Sequence, residues 1–270
     1  MESSLSWLQT FWLAIIQGIT EFLPVSSSGH LVLAPHIFGW PDQGLAFDVA
    51  VHVGSLLAVI IYFRCDIYLM GRDWILSLLY QHRTNNSRLA WAVIWATIPA
   101  VIAGLLINGN GVEAALRNPL IIAATTIIFG ALLWWADSKG KRQRDEYSLR
   151  LRDIMLIGLA QALALIPGTS RSGITLTAAL LLGLTREAAA RFSFLLSLPL
   201  ILGAGLLKTR DLVQLNEPAH WDILIGGALF SFVSAYLVIG LFLKWINRIG
   251  MAPFAIYRFA LGLLLLFLFV

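Results

Sequence analysis

Pro24-Val25-Ser26-Ser27-Ser28-Gly29-His30 and Pro167-Gly168-Thr169-Ser170-Arg171-Ser172-Gly173-Ile174-Thr175 decide how this chain is read. Each is a short polar run lodged in sequence that is otherwise apolar enough for a bilayer. Each interrupts a helical pattern with proline and glycine, and each crowds hydroxyls around a titratable or cationic side chain. Irregular backbone in contact with lipid leaves N–H and C=O groups unpaired, so such runs belong inside protein or beside a water-filled cavity. An arginine at membrane depth costs roughly 2.5–3.5 kcal/mol on insertion scales and marks function. Hydroxyls, backbone amides and a guanidinium together suit a phosphate group.

The composition around these runs supports that setting. Of 270 residues, 59% are hydrophobic and 13% charged, against roughly 45–50% and about 25% in soluble domains. This is the balance of a polytopic membrane protein of one domain, residues 1–270. The single cysteine, Cys65, rules out an internal disulfide. The net charge of +4 is small and its basic residues flank apolar segments, which argues for membrane orientation and against nucleic acid. The first residues do not read as a signal peptide, since Glu21-Phe22-Leu23-Pro24 stands where a small-residue cleavage site would be needed.

Six stretches reach the roughly 20 apolar residues a bilayer core requires: Leu45–Phe63, Leu89–Ile107, Pro119–Ala136, Glu187–Leu207, Ile223–Trp245 and Pro253–Val270. Trp7–Trp40 and Ile154–Leu184 are apolar but broken midway by the two polar runs, which predicts re-entrant helical hairpins. The expected fold is all-α, two repeats of one hairpin plus three transmembrane helices, spanning about residues 7–137 and 153–270. Gln17 precedes Pro24 by seven residues and Gln161 precedes Pro167 by six, a match offset by one. Three spans is an odd number, so the second repeat enters the membrane inverted, an arrangement best known from transporters.

Charge orients the chain. One side would carry Arg64, Arg72, Arg83, Arg88, Lys139, Lys141, Arg142, Arg144, Arg150, Arg152, Arg186, Arg191, Lys244 and Arg248, the other only Arg117, Lys208 and Arg210. The basic side is therefore expected in the cytoplasm, with both termini outside and the hairpin tips meeting within the membrane. The tract Lys139–Arg144 reads as a loop that favours anionic lipid heads.

Gln17 and Glu21 stand one helical turn apart and share a face. Beside a diphosphate, Glu21 could hold Mg²⁺ or Ca²⁺ with Gln17 as a neutral ligand, or the pair could simply seal the hairpin by hydrogen bonds. Ser26, Ser27 and Ser28 precede a helix expected over His30–Phe38, where serines cap and amides face an anion. Gly29 allows close backbone approach, and His30 is a candidate nucleophile, acid, base or anchor. Arg171 is the expected phosphate clamp, assisted by Ser170, Ser172 and Thr175, with a structural ion pair to Glu21 as its other reading. Asp48 and His52 suit either the cavity or a helix start, and Arg258 is expected to snorkel toward the interface.

The stretches Gln17–His30 and Pro167–Thr175 resemble the bacterial undecaprenyl-diphosphate phosphatase family of the bacitracin-resistance type. Weaker likeness covers Gly54–Val59 and Pro253–Arg258, so the resemblance runs nearly end to end. It implies an integral inner-membrane hydrolase that removes one phosphate from undecaprenyl diphosphate, recycling the carrier of cell-wall synthesis and conferring bacitracin resistance. It also implies a divalent cation, a site opening to the periplasm, and catalytic roles for Glu21, Ser27, His30 and Arg171. Ser26, Ser28, Gly29, Gly168, Ser170, Ser172 and Thr175 would bind the substrate. Gln17 stands where a second glutamate is common in the family, which weakens a metal site built on two carboxylates. Ser27 with His30 as its base fits the nucleophile–base pattern, although His30 or a water could also attack. A polyprenyl-phosphate flippase or another inverted-repeat transporter is the rival reading, and a homodimer is compatible with either.

Overall fold

The first apolar stretch yields two short helices. In the computed structural model, which describes residues 5–41, 43–81, 83–107, 116, 118–215 and 220–269, Ser6 and Gln9 form a reciprocal capping box that starts α1 (Trp7–Phe22). Pro24 follows two residues after the helix ends, and α2 (Ser27–Phe38) begins beyond it. Next come α3 (Gly44–Tyr62), α4 (Arg64–Tyr80), α5 (Asn85–Ile107) and α6 (Pro119–Lys139). Asn118 caps α6 by accepting the Leu120 amide at 2.9 Å, with Pro119 in the first helical position where its missing N–H costs nothing.

The second interrupted segment forms α7 (Leu151–Ala162), a 3-10 turn at Leu163–Leu165, and α8 (Arg171–Leu181). Then α9 (Arg186–Leu215), α10 (Trp221–Ile249) and α11 (Ala252–Phe269) complete the described chain. Six helices are long and apolar enough to cross a membrane, and they coincide with the six stretches read from sequence. The four hairpin helices hold 16, 12, 12 and 11 residues. At 1.5 Å per residue the longest reaches about 24 Å, short of a hydrocarbon core of about 30 Å. The fold is all-helical among the described residues.

Helix packing is reciprocal between the halves. α1 lies on α10 and α7 on α5; α3 meets α10 as α9 meets α5; α3 packs on α9, and α6 on α11. Gly18 makes the first of these contacts possible, because a Cβ there would stand 2.0 Å from Ser234 Oγ and 2.5 Å from the Ser231 carbonyl. Phe22, Phe194 and Phe242 stack edge-on or tilted in the core where the first hairpin meets α9 and α10.

α4 was not anticipated. It follows α3 with Phe63 as the sole junction, and Arg64, Asp66, Arg72 and Asp73 make it too polar to be sought as a span. Its turn into α5 is clamped by Asp73, which accepts from Thr84 Oγ1 at 2.7 Å, Arg72 Nε at 2.9 Å and Asn86 Nδ2 at 3.2 Å. Other ion pairs tie the same face together. Arg186 chelates Asp137, which also accepts the Met251 amide, and Arg191 bridges Asp66 and Glu146. Arg144 reaches Asp153 at 2.6 Å and the carbonyls of Ser148 and Leu182. That part of the Lys139–Arg144 tract thus braces the second hairpin rather than lying free for lipid heads.

Candidate active site

Both hairpin tips turn on a serine in the left-handed region. Ser26 has φ 75° and ψ 93°, and Ser170 has φ 65° and ψ 111°. A non-glycine residue held there costs of order 1–3 kcal/mol and persists only where its surroundings over-determine it. Each is the residue before a helix, and each is followed three positions later by glycine, Gly29 and Gly173. Gln17 precedes Ser26 by the nine residues that separate Gln161 from Ser170, so the one-residue offset of a proline-anchored match disappears. In this register Arg171 stands where Ser27 stands. Helix α2 consequently begins at Ser27, three residues before the start expected from the serine run.

Gly168 shapes the second tip. Its φ is +86°, and a Cβ there would fall 2.2 Å from Thr125 Oγ1 and 2.5 Å from the Ile122 carbonyl. Only glycine fits this turn. Its own carbonyl accepts from Arg258 Nη2 at 2.9 Å, which ties the second tip to α11.

Arg258 overturns the expectation of snorkelling. It is fully buried, and its guanidinium donates to backbone carbonyls of three segments: Thr126 at 3.0 Å, Gly168 and Thr169 at 2.9 and 3.0 Å, and Pro24 at 3.4 Å. One side chain of α11 thereby spans both hairpin tips and α6. Ser172 adds a direct link by donating to the Leu23 carbonyl at 3.0 Å. Thr125 and Thr126 of α6 donate to the Pro167 and Gly168 carbonyls.

Glu21 is the centre of the side-chain network. Its Oε1 accepts from Arg171 Nη2 at 2.8 Å. Its Oε2 accepts from Gln17 Nε2 at 2.9 Å and from Ser27 Oγ at 2.9 Å. His52 Nε2 lies 3.7 Å from Oε2, so α3 also reaches the site. The ion pair with Glu21 is present, and the second nitrogen of Arg171, Nη1, is buried without an acceptor in the protein. Thr169 Oγ1 likewise has no partner, and neither does the amide oxygen of Gln17.

His30 is placed differently from the expected base of Ser27. Its Nδ1 faces the Ser26 carbonyl at 2.7 Å, and a carbonyl only accepts, so Nδ1 carries a proton. In the neutral ring Nε2 then accepts from the Tyr257 hydroxyl at 2.6 Å, with the two rings stacked. Ser27 Oγ donates instead to the Glu21 carboxylate. Thr175 is buried, donates to the Arg171 carbonyl at 2.9 Å and contacts Ser193 Oγ at 2.6 Å, which ties α8 to α9. Ser170 Oγ caps α8 by accepting the Gly173 amide. Ser26 and Gly29 lie buried at the start of α2, and the side chain of Ser28 lies outside the described residues. The Asp48 carboxylate accepts from Gln43 Nε2 at 3.2 Å, and the Asp48 carbonyl meets His52 Nδ1 at 2.7 Å. Tyr257, Arg258 and His52 were the residues undervalued in the sequence; two of them sit together in Tyr257-Arg258, polar residues inside an apolar span.

The donors present suit a hard cation only in part. Among the described residues no three His, Cys, Asp or Glu side chains converge. Glu21 supplies one carboxylate and Gln17 an amide oxygen without a partner. That set fits a cation whose remaining ligands are substrate oxygens and water, as Mg²⁺ commonly takes.

Comparison with known protein families matches residues 10–264 to the bacitracin resistance protein BacA family. Among curated relatives, the undecaprenyl-diphosphatase of Alteromonas mediterranea is 63% identical over 94% of this chain and 95% of its own length. That of Chromohalobacter salexigens is 57% identical over 97% and 98%, and that of Hahella chejuensis 55% identical over 98% and 100%. With the two tips, their arginine and the carboxylate between them in place along the matched length, the chain belongs to the bacitracin resistance protein BacA family.

Proposed function

We propose that this membrane protein hydrolyses undecaprenyl diphosphate to undecaprenyl phosphate and inorganic phosphate, so recycling a lipid carrier of cell-wall synthesis. One observation carries the reading: the Ser27 hydroxyl donates to Glu21, and the same carboxylate holds an arginine with a donor to spare. Paired nucleophile and base beside a cationic clamp are the parts phosphoryl transfer needs. A transporter would need no such pair.

In this reading the prenyl tail stays in the bilayer and the diphosphate lies at the hairpin tips. Ser27 Oγ attacks the terminal phosphorus while Glu21 takes its proton. The bond to the bridging oxygen breaks, and undecaprenyl phosphate leaves as an anion that needs no strong acid. Water then cleaves the phosphoserine, releasing phosphate and restoring the hydroxyl. Arg171 Nη1 and Thr169 Oγ1 donate to the phosphoryl oxygens as their charge redistributes. His30, held through both ring nitrogens by the Ser26 carbonyl and the Tyr257 hydroxyl, anchors the first turn of α2 and so helps to place Ser27. A divalent cation would be held by Glu21 and Gln17 together with the diphosphate. When bound it would disperse phosphate charge and favour an ionised nucleophile.

The reciprocal packing and the matched left-handed serines support two inverted repeats within one domain. The asymmetry of basic residues supports an inner-membrane orientation with both termini periplasmic. A reporter fused after Val270 is expected to be active in the periplasm and one in the 139–152 loop in the cytoplasm; the reverse pattern would overturn this orientation. The function is tested by phosphate release from a short polyprenyl diphosphate by purified protein in detergent, where no gradient exists. Robust release that Ser27→Ala abolishes is expected. Absence of release, with lipid translocation in vesicles intact, would support the flippase instead.

A further inference from the structure

A cavity with arginines set among apolar walls lies away from the hairpin tips. It encloses about 540 Å³ between the end of α4, the start of α5 and the start of α7, and shares no residue with the site described above. Arg83, Arg88 and Arg150 line it together with Ser77, Ser87 and the rings of Trp91 and Trp95, and none of its lining residues is acidic. The nearby carboxylates are already engaged, Asp73 by Arg72 and Thr84, and Asp153 by Arg144. Among the described residues no carboxylate pairs with the Arg83 or Arg88 guanidinium. Both α5 and α7 begin here, so two positive helix ends add to the three arginines.

We propose that this cavity binds the phosphate headgroup of an anionic membrane phospholipid. The charge calls for an anion, and the surroundings favour a lipid one. Trp91 and Trp95 stack at the level where α5 turns from polar to apolar, the place aromatic residues take at a membrane interface. Trp95 is exposed, and below it Ile98, Ile102 and Leu105 continue an exposed apolar lane at helical spacing. An acyl chain lying along this lane leads its headgroup up to the arginines. A soluble phosphate would use the arginines and leave the tryptophans and the lane idle. Seating the lipid between α5 and α7 would also brace the first helix of the second hairpin, because Leu149, Arg150 and Ile154 form one wall of the cavity.

Native mass spectrometry of the purified full-length protein in detergent tests the site, titrating phosphatidylglycerol, phosphatidylcholine or inorganic phosphate. Phosphatidylglycerol is expected to bind the parent, with phosphatidylcholine failing to compete and inorganic phosphate failing to displace it. The double variant Arg83→Gln/Arg88→Gln should bind it about tenfold to thirtyfold more weakly. Lys244→Gln/Arg248→Gln, with the same change of charge on the same basic side but outside the cavity, should bind as the parent does. Trp95→Leu, which leaves the charge intact, should weaken binding a few-fold and keeps the test open if the arginine variant folds poorly. Equal losses in the Arg83/Arg88 and Lys244/Arg248 variants would reduce the cavity to diffuse surface charge and overturn the proposal. So would equal binding of the two lipids, or displacement by inorganic phosphate.

Discussion

The two hairpin tips have nearly the same backbone and almost opposite chemistry. Each turns on a serine at positive φ, each opens a helix and each places glycine three residues on. The first tip carries Ser27 and His30 and lies against Glu21, residue types able to accept a proton or attack. The second carries Arg171 and Thr169, residue types that donate hydrogen bonds. In the common register Ser27 faces its counterpart Arg171, and Glu21 touches both. One turn geometry used twice thus supplies the two halves of the site we propose for phosphoryl transfer.

That division can be broken at its strongest point. Ser27→Ala and Glu21→Gln should each lower kcat by about a thousandfold or more, with KM changed only a few-fold, in a phosphate-release assay. If Ser27→Ala retained most of its turnover while His30→Ala lost it, the nucleophile would be the imidazole and the pairing with Glu21 would be structural. The second tip comes next. Arg171→Lys keeps charge but loses the planar fork, and kcat and kcat/KM should fall together by roughly a hundredfold. A rise in KM alone would restrict Arg171 to holding the ground state.

The frame between the tips predicts a smaller, mixed effect. Arg258→Lys leaves some of four carbonyls unpaired, at about 1–3 kcal/mol for each one stranded, so the melting temperature in detergent should drop by several degrees. Turnover should drop about tenfold with KM preserved, because the tips shift relative to each other while each keeps its own side chains. The least effect belongs to a region outside both tips. The Thr84 hydroxyl, with Arg72 and Asn86, holds the Asp73 carboxyl below the usual carboxylate range. A depressed carboxyl stabilises the fold above its unfolded pKa and loses that contribution as pH falls through the folded value. Asp73→Asn should therefore lower the melting temperature slightly at pH 7, with the gap to the parent closing in acid and phosphate release unchanged throughout.

The sequence disclosed the spans and the interruptions because both are written in local composition. Twenty apolar residues in a row, or a Pro-Gly-hydroxyl run among them, need no knowledge of the partner helix. Glu21, Ser27 and Arg171 were legible for the same reason: polar groups at membrane depth stand out one by one. What composition could not convey was direction. His30 lies beside Ser27 in the chain yet turns toward Tyr257, more than two hundred residues away, and only packing of α11 against the tips determines that. Arg258 was misread because its distance from a helix end was judged in sequence, whereas its carbonyl partners come from three other segments. α4 escaped notice because a helix resting beside the bundle has neither the length nor the apolarity by which spans are recognised.

Arg258 grips the tips by their main chain and ignores what their side chains do. A scaffold fastened in this way is indifferent to the reagents mounted on it. Exchanging the nucleophile for cysteine, or transplanting a different clamp onto the second tip, would leave the carbonyl anchorage untouched. The same anchorage offers protein engineers a chassis inside a bilayer, where lipid-borne substrates arrive already confined to two dimensions and new chemistry can be installed one side chain at a time.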